Sequence, residues 1–244
     1  MLHHWFINTD GNGATIRTIL FYRPYNSCKE TGPVLLIQFV NVVGNVVTGH
    51  ANVMSNTKVK DVIGSESTFE YNSTLWENKE SFNIEAGQTA LDLEETKLPT
   101  FWSTSFKELC IGMKVGNDLN FLSFSYPASS LYTLFADRIY RSTNITRGEW
   151  KSLLAGSSLQ TGCRKQGFNV DSHFVDVRLG YIGNEQNDCL STDSYIGIGS
   201  NSGKNTWCHS QRSKTHVNIA GNFAGCSADN GNVDITAMAY LLVR

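Results

Sequence analysis

VDVRLGYIGNEQNDCLSTDSYIGIGSNSGKNTWCHSQRSKTHVNIAGNFAGCSADNGNVDITAMAYLLVR, residues 175–244, is the stretch that decides how this chain folds. A β-rich run from Phe174 to Ile182 leads into a polar segment dense in Gly, Asn, Asp and Ser. A second β-rich run, Ile235 to Arg244, closes it. Read as one long loop, Gly183 to Asp234 carries too little apolar content to order itself, so it calls for covalent staples, a bound cation, or both. Oxygen-bearing side chains are what a hard cation such as calcium takes. The region 163–244 is therefore expected to form the ligand- and calcium-binding part of the molecule.

The staples are at hand. Six cysteines, Cys28, Cys110, Cys163, Cys189, Cys208 and Cys226, are even in number, widely spaced and never in a CxxC couple. Zinc ligands usually come as such close couples, so disulfides are expected at all of them, with the pairing left open. Asn72-Ser73-Thr74 and Asn144-Ile145-Thr146 are acceptor sequences for N-glycosylation, and they too point to a secreted, extracellular protein. Charged residues make up only 17% of the chain and the net charge is −2. Without a basic cluster, nucleic acid is not an expected partner. No apolar run reaches the length of a membrane span, and the start, MLHHWFINTDGNG, lacks the apolar core of a signal peptide.

Moving outward, Thr15 to Tyr22 is β-rich, and Val34 to Val47 reads as a hairpin turning at Gly44-Asn45. Leu109 to Val115 and Leu119 to Tyr126 read as a second hairpin through Gly116-Asn117-Asp118. Two short helices are expected. Ser130 caps the first, which carries Leu131, Leu134 and Phe135. Thr146 and Glu149 form a capping box for the second, which carries Trp150, Leu153 and Leu154 and stops at Gly156. The N-terminal half is expected to build the central sheet. The class is α+β: one disulfide-stapled domain over 1–244 with a loop-rich C-terminal half.

Within the polar segment, Asn184, Glu185 and Asp188 follow a strand, and Asp229 opens DNGNVD. These four are the candidate metal ligands. DNGNVD is no EF-hand, since Leu241 stands where the bidentate Glu belongs. Trp207 and Tyr195 are candidates for stacking on a sugar ring, with core packing as the alternative; His209 is a candidate polar ligand. Asp193-Ser194-Tyr195 and the GIGSNSG after it read as a flexible loop. HExxH, GxSxG and the P-loop are all missing, so no enzyme is expected.

TDGNGAT, KLPTFWSTSFKELCIGMK, ASSLYTLFADRIYRSTNITRGEWKSLLAGSSLQ, VRLGYIGNEQNDC and ADNGNVDITAMAYLLVR occur in an order and spacing that resemble fibrinogen-related domains. The likeness is to the cnidarian secreted type, which includes proteins of the coral skeletal organic matrix, and it runs from about Thr9 to Arg244. The last two pieces also resemble the C-terminal part of intelectins, calcium-dependent lectins in which an Asn-Glu pair lies beside calcium and glycan. The resemblance implies a fibrinogen C-terminal-like fold, with Asn184-Glu185 at the calcium. It implies calcium as cofactor, glycans or glycoproteins as partners, and a homo-oligomer. Departures stand beside it. Asp10-Gly11-Asn12-Gly13-Ala14-Thr15 lacks the Trp of the DGGGWT-like turn, and the cysteine that usually precedes it is absent. The chain therefore either lacks its first strand or belongs to a divergent member. The Asp-x-Asp calcium loop of fibrinogen is not found, and Asn205-Thr206-Trp207-Cys208-His209 replaces the Glu-His-His-Cys cluster of intelectins. The expected function is extracellular, calcium-dependent carbohydrate recognition. Its rival is a structural or adhesive matrix protein that binds no sugar.

Overall fold

The computed structural model describes residues 54–55, 68–87, 91, 93–201 and 219–244. The expectations for Thr15–Tyr22, the Val34–Val47 hairpin, Cys28, Trp207, Cys208 and His209 lie outside those residues.

Alternating apolar residues build the hairpin expected at its centre. Strand β2 (Phe106–Val115) sends Leu109, Ile111 and Met113 inward, as a period of two requires, and pairs antiparallel with β3 (Asp118–Ala128). Gly116 takes a φ of +58° in the tight turn, a conformation that costs glycine little. A two-residue strand, β1 (Met54–Ser55), and β10 (Met238–Val243) complete a four-stranded sheet in the order β1-β10-β2-β3.

The larger sheet has six strands, in chain order: β4 (Arg141–Ser142), β5 (Gly162–Val170), β6 (Asp176–Asn184), β7 (Ser194–Asn201), β8 (Ala220–Ala224) and β9 (Val233–Thr236). All its pairings are antiparallel. Among the described residues, then, the second half of the chain builds the larger sheet, contrary to the expectation that the N-terminal half would. The segment 183–234 is not one long loop either. Ser194–Asn201, expected to be flexible, is β7, and its side chains are buried up to Ser200. The run's glycines serve close packing: Gly197 faces Gly180 of β6, and an added side chain there would meet the Leu179 carbonyl at 2.7 Å. Tyr195, Ile196, Ile198, Ile219, Ala220 and Phe223 supply the apolar burial that the polar composition hides.

The run Ile235 to Arg244 is likewise not one strand. It breaks at Ala237, whose N–H donates to the Ala220 carbonyl at 3.0 Å. The chain leaves one sheet as β9 and enters the other as β10.

Three short helices pack into the same core: α1 (Thr100–Ser103), α2 (Tyr132–Phe135) and α3 (Arg147–Ser152). The Ser130 hydroxyl accepts from the Thr133 N–H at 3.3 Å at the start of α2, and the expected capping box is present on α3. Leu134, Phe135, Trp150 and Leu153 meet Ile111 and Met113 from one sheet and Leu179, Ile196 and Ile198 from the other. On the opposite face of the larger sheet, Tyr195 packs with Phe223, Val177 and Ile182. The described residues are thus a sheet-rich α+β arrangement. The Cys163–Cys189 disulfide ties β5 to the loop after β6.

A charged network locks the segment 68–77 onto the larger sheet. The Arg178 side chain on β6 is fully buried; it donates to the carbonyls of Tyr71 (2.6 Å) and Phe135 (3.0 Å), to Asn169 Oδ1 (3.1 Å) and to Glu77 Oε1 (2.6 Å). Burial alone would raise the Glu77 carboxyl's pKa, but hydrogen bonds from Arg138 and Arg178 hold it below its ordinary value.

Candidate functional site

Strand β6 ends at Asn184, and the loop 185–193 returns the chain to β7. Asn184 is buried and organises this loop. Its Nδ2 donates to the Asp188 carbonyl and to Ser191 Oγ, each at 2.9 Å, and its Oδ1 accepts from the Glu185 N–H at 2.9 Å. Asp188 serves the same turn, accepting from the Leu190 N–H (2.9 Å) and Ser191 Oγ (2.5 Å). Those bonds hold the Asp188 carboxyl below its ordinary pKa, the Ser191 hydroxyl contributing most. Asn184 and Asp188 thus spend their oxygens on the loop itself.

Glu185 is exposed, and its carboxylate neighbours that of Asp193 and raises its pKa. Asp193 is buried at the far end of the loop. Its N–H donates to the Gly183 carbonyl (3.1 Å), and its carbonyl accepts from the Gly225 N–H (3.2 Å). Burial, reinforced by the negative charge of Glu185, pushes the Asp193 carboxyl up to about 6. Two neighbouring carboxylates need a proton or a cation between them.

Gln160 is the third member. Its backbone N–H donates to Ser194 Oγ at 3.0 Å, which fixes its place between β6 and β7. Its side-chain nitrogen lies within hydrogen-bonding distance of Glu185 Oε2 (2.8 Å) and of the carbonyls of Cys226 (2.8 Å) and Gly225 (3.2 Å). The Gln160 side chain also draws the Asp193 pKa down, against the burial that raises it. An amide nitrogen has two hydrogens, so these oxygens outnumber the protons that can satisfy them. The carbonyls arrive there on a strained turn: Cys226 and Ser227 have φ of 46° and 65°, a region non-glycine residues rarely occupy.

Asp229, expected to be a ligand, belongs elsewhere. It accepts from Arg147 Nη2 (2.6 Å), Lys151 Nζ (2.5 Å) and the Leu159 N–H (3.0 Å), which clamps the β8–β9 loop to α3. Its partial burial would raise its pKa, but these donors hold it well below the usual carboxylate range. With two cations already on it, it is not free for a third. Asn230 completes the clamp by donating to the Gly156 carbonyl at 3.1 Å. Tyr195 is fully buried, with its ring stacked on Phe223 and its hydroxyl accepting from Ser200 Oγ at 3.2 Å, so it presents no face to a sugar. Asn72 and Asn144 are both exposed. Cys163 is paired with Cys189, and Cys110 and Cys226 are each held in a disulfide of their own.

The structure therefore brings Glu185 together with Gln160, Asp193 and two backbone carbonyls. Of the four residues expected to hold a metal, only Glu185 points its carboxylate into this group. Gln160 and the carbonyls carried no sequence signal, because residues 65 positions apart meet there only after the sheet forms. Among the described residues, no three His, Cys, Asp or Glu side chains gather as a metal cluster, so a cation here would draw on amide and carbonyl oxygens as well. Calcium accepts such a mixed oxygen set.

No protein-family model, characterised relative or solved structure matches this chain.

Proposed function

We propose that this chain is a secreted recognition domain of the fibrinogen-related type that binds carbohydrate with the help of calcium. One observation carries the reading: the Gln160 amide nitrogen stands among more oxygens than it has protons, next to a carboxylate pair. Such a group gains from a hard cation, which accepts several oxygens at once. Glu185, Asp193 and the carbonyls of Gly225 and Cys226 would hold it, and Gln160 would turn its amide oxygen inward. The exposed side of Glu185 leaves room for sugar hydroxyls to complete the coordination. Calcium supplies the charge that draws those hydroxyls; the residues supply position.

Further support comes from the disulfide at the site's edge and from exposed glycan acceptors, both suited to an extracellular protein. The test is a glycan array probed with the whole chain in calcium and in chelator. Retention on defined glycans that vanishes with chelator is the expected result. Self-association with no glycan retention in either condition favours a structural or adhesive matrix protein.

A further inference from the structure

The two glycan acceptors differ in how the fold treats the residue that makes them acceptors. Transfer of an N-glycan needs the asparagine nitrogen and also the hydroxyl two residues on. At the first site, Asn72 lies in an exposed turn. Its side chain accepts from Arg138 Nη1 at 3.4 Å, and Ser73 caps the short 3-10 helix Thr74–Trp76, but Thr74 is exposed and its hydroxyl has no hydrogen bond among the described residues. The second site is held differently. Asn144 is exposed and its side chain has no partner among the described residues, but Ile145 beside it is buried. Thr146 is the N-cap of α3. Its hydroxyl donates to Glu149 Oε2 (2.7 Å) and accepts from the Glu149 N–H (3.2 Å), and its own N–H donates to the same carboxylate (2.7 Å).

We infer that Asn144 accepts an N-glycan only while α3 is unformed, so that the Thr146–Glu149 capping box sets its occupancy, whereas Asn72 remains an acceptor on the folded protein. The donor is a lipid-linked oligosaccharide pyrophosphate. The Asn144 side-chain nitrogen forms a bond to the sugar's anomeric carbon and loses a proton, and the bond from that carbon to the pyrophosphate oxygen breaks. In the folded chain the Thr146 hydroxyl is committed on both its donor and acceptor sides, and the buried Ile145 keeps the tripeptide from bending into a transferase. Once attached, a glycan at Asn144 breaks no side-chain hydrogen bond among the described residues. The inference rests on the secretory reading of the chain, and an assay in vitro separates the two.

The test offers unglycosylated whole chain to purified oligosaccharyltransferase with a lipid-linked oligosaccharide, and follows each site by mass spectrometry. Native protein is expected to be modified readily at Asn72 and far more slowly at Asn144, and reduced, carboxymethylated chain readily at both. Glu149→Ala removes the box and leaves the acceptor sequence intact. Losing a cap of this kind should raise the population with α3 open, and with it the native rate at Asn144, about fivefold, with Asn72 unchanged. Equal rates at Asn144 in native and carboxymethylated chain, no transfer there in either, or no effect of Glu149→Ala would each overturn the inference. If the transferase behaves as expected but natural material carries no glycan, the secretory reading fails and the structural inference stands.

Discussion

Arg147 Nη2 donates to Asp229 Oδ2 at 2.6 Å and joins helix α3 to a loop 82 residues further along the chain. Lys151 reaches the same oxygen from one turn on. This clamp works without a metal. Asp229→Asn removes the charge that both cations answer and should lower stability by roughly 1–2 kcal/mol. Because the folded-state pKa is depressed, the contribution is present above the unfolded carboxylate's pKa and is lost as pH falls through the folded value. Denaturant titrations of the variant in calcium and in chelator should show the same loss. A loss seen only in calcium would restore Asp229 to the cation site.

Calcium should stabilise the wild type by mass action, by roughly 2.7 kcal/mol at a hundredfold excess over its dissociation constant, and so raise its melting temperature. Glu185→Ala and Asp193→Ala should each shrink that response in differential scanning calorimetry. Identical melting curves in millimolar calcium and in chelator would count against the lectin reading and favour its matrix rival.

In chelator, Asp193 should leave a signature of its own. Its folded pKa, about 6, lies above the ordinary aspartate value of 3.8. A group raised in this way gives stability that is fully present below its unfolded pKa and is lost as pH rises through the folded one. Between about pH 4 and 6, then, Asp193 should lower stability as pH rises. Asp193→Asn should flatten that slope in a series of urea titrations, and a variant with unchanged slope would place the titration elsewhere.

Arg178 is buried, and among the described residues its ion pair is with Glu77. Arg178→Leu would leave three acceptors without their donor and Glu77 with Arg138 alone, at a cost of roughly 3–5 kcal/mol. Equilibrium unfolding in urea measures it; a cost below about 1 kcal/mol, the range of an exposed ion pair, would mean that water replaces the guanidinium.

Every cysteine is expected in a disulfide. The intact mass without reductant should therefore be lower than the reduced mass by one hydrogen per cysteine. A smaller difference would show a free thiol and weaken the extracellular reading.

What the sequence disclosed was local. Gly116 and the alternation around it announced the β2–β3 hairpin, and Thr146 with Glu149 announced the start of α3, because turns and caps depend on residues a few positions apart. Glycine and serine disguised β7. Their usual association with loops outweighed Tyr195, Ile196 and Ile198, and only the facing glycine of β6 explains why small residues belong there. Ile235 to Arg244 carries no mark of its break, since Ala237 suits a strand as well as a crossover. Glu185 could be singled out because it follows a strand. Gln160 and the Gly225 and Cys226 carbonyls could not, since their meeting depends on the register of strands far apart in the chain.

The crossing at Ala237 also bears on the order of assembly. Strand β10, the last of the described strands in chain order, sits inside its sheet with β1 on one side and β2 on the other. Until it arrives, β1 has no pairing partner among the described strands. The sheet cannot close until residues 238–243 are in place, and a chain cut short before Met238 would lose an inner stave of the sheet rather than a loose end.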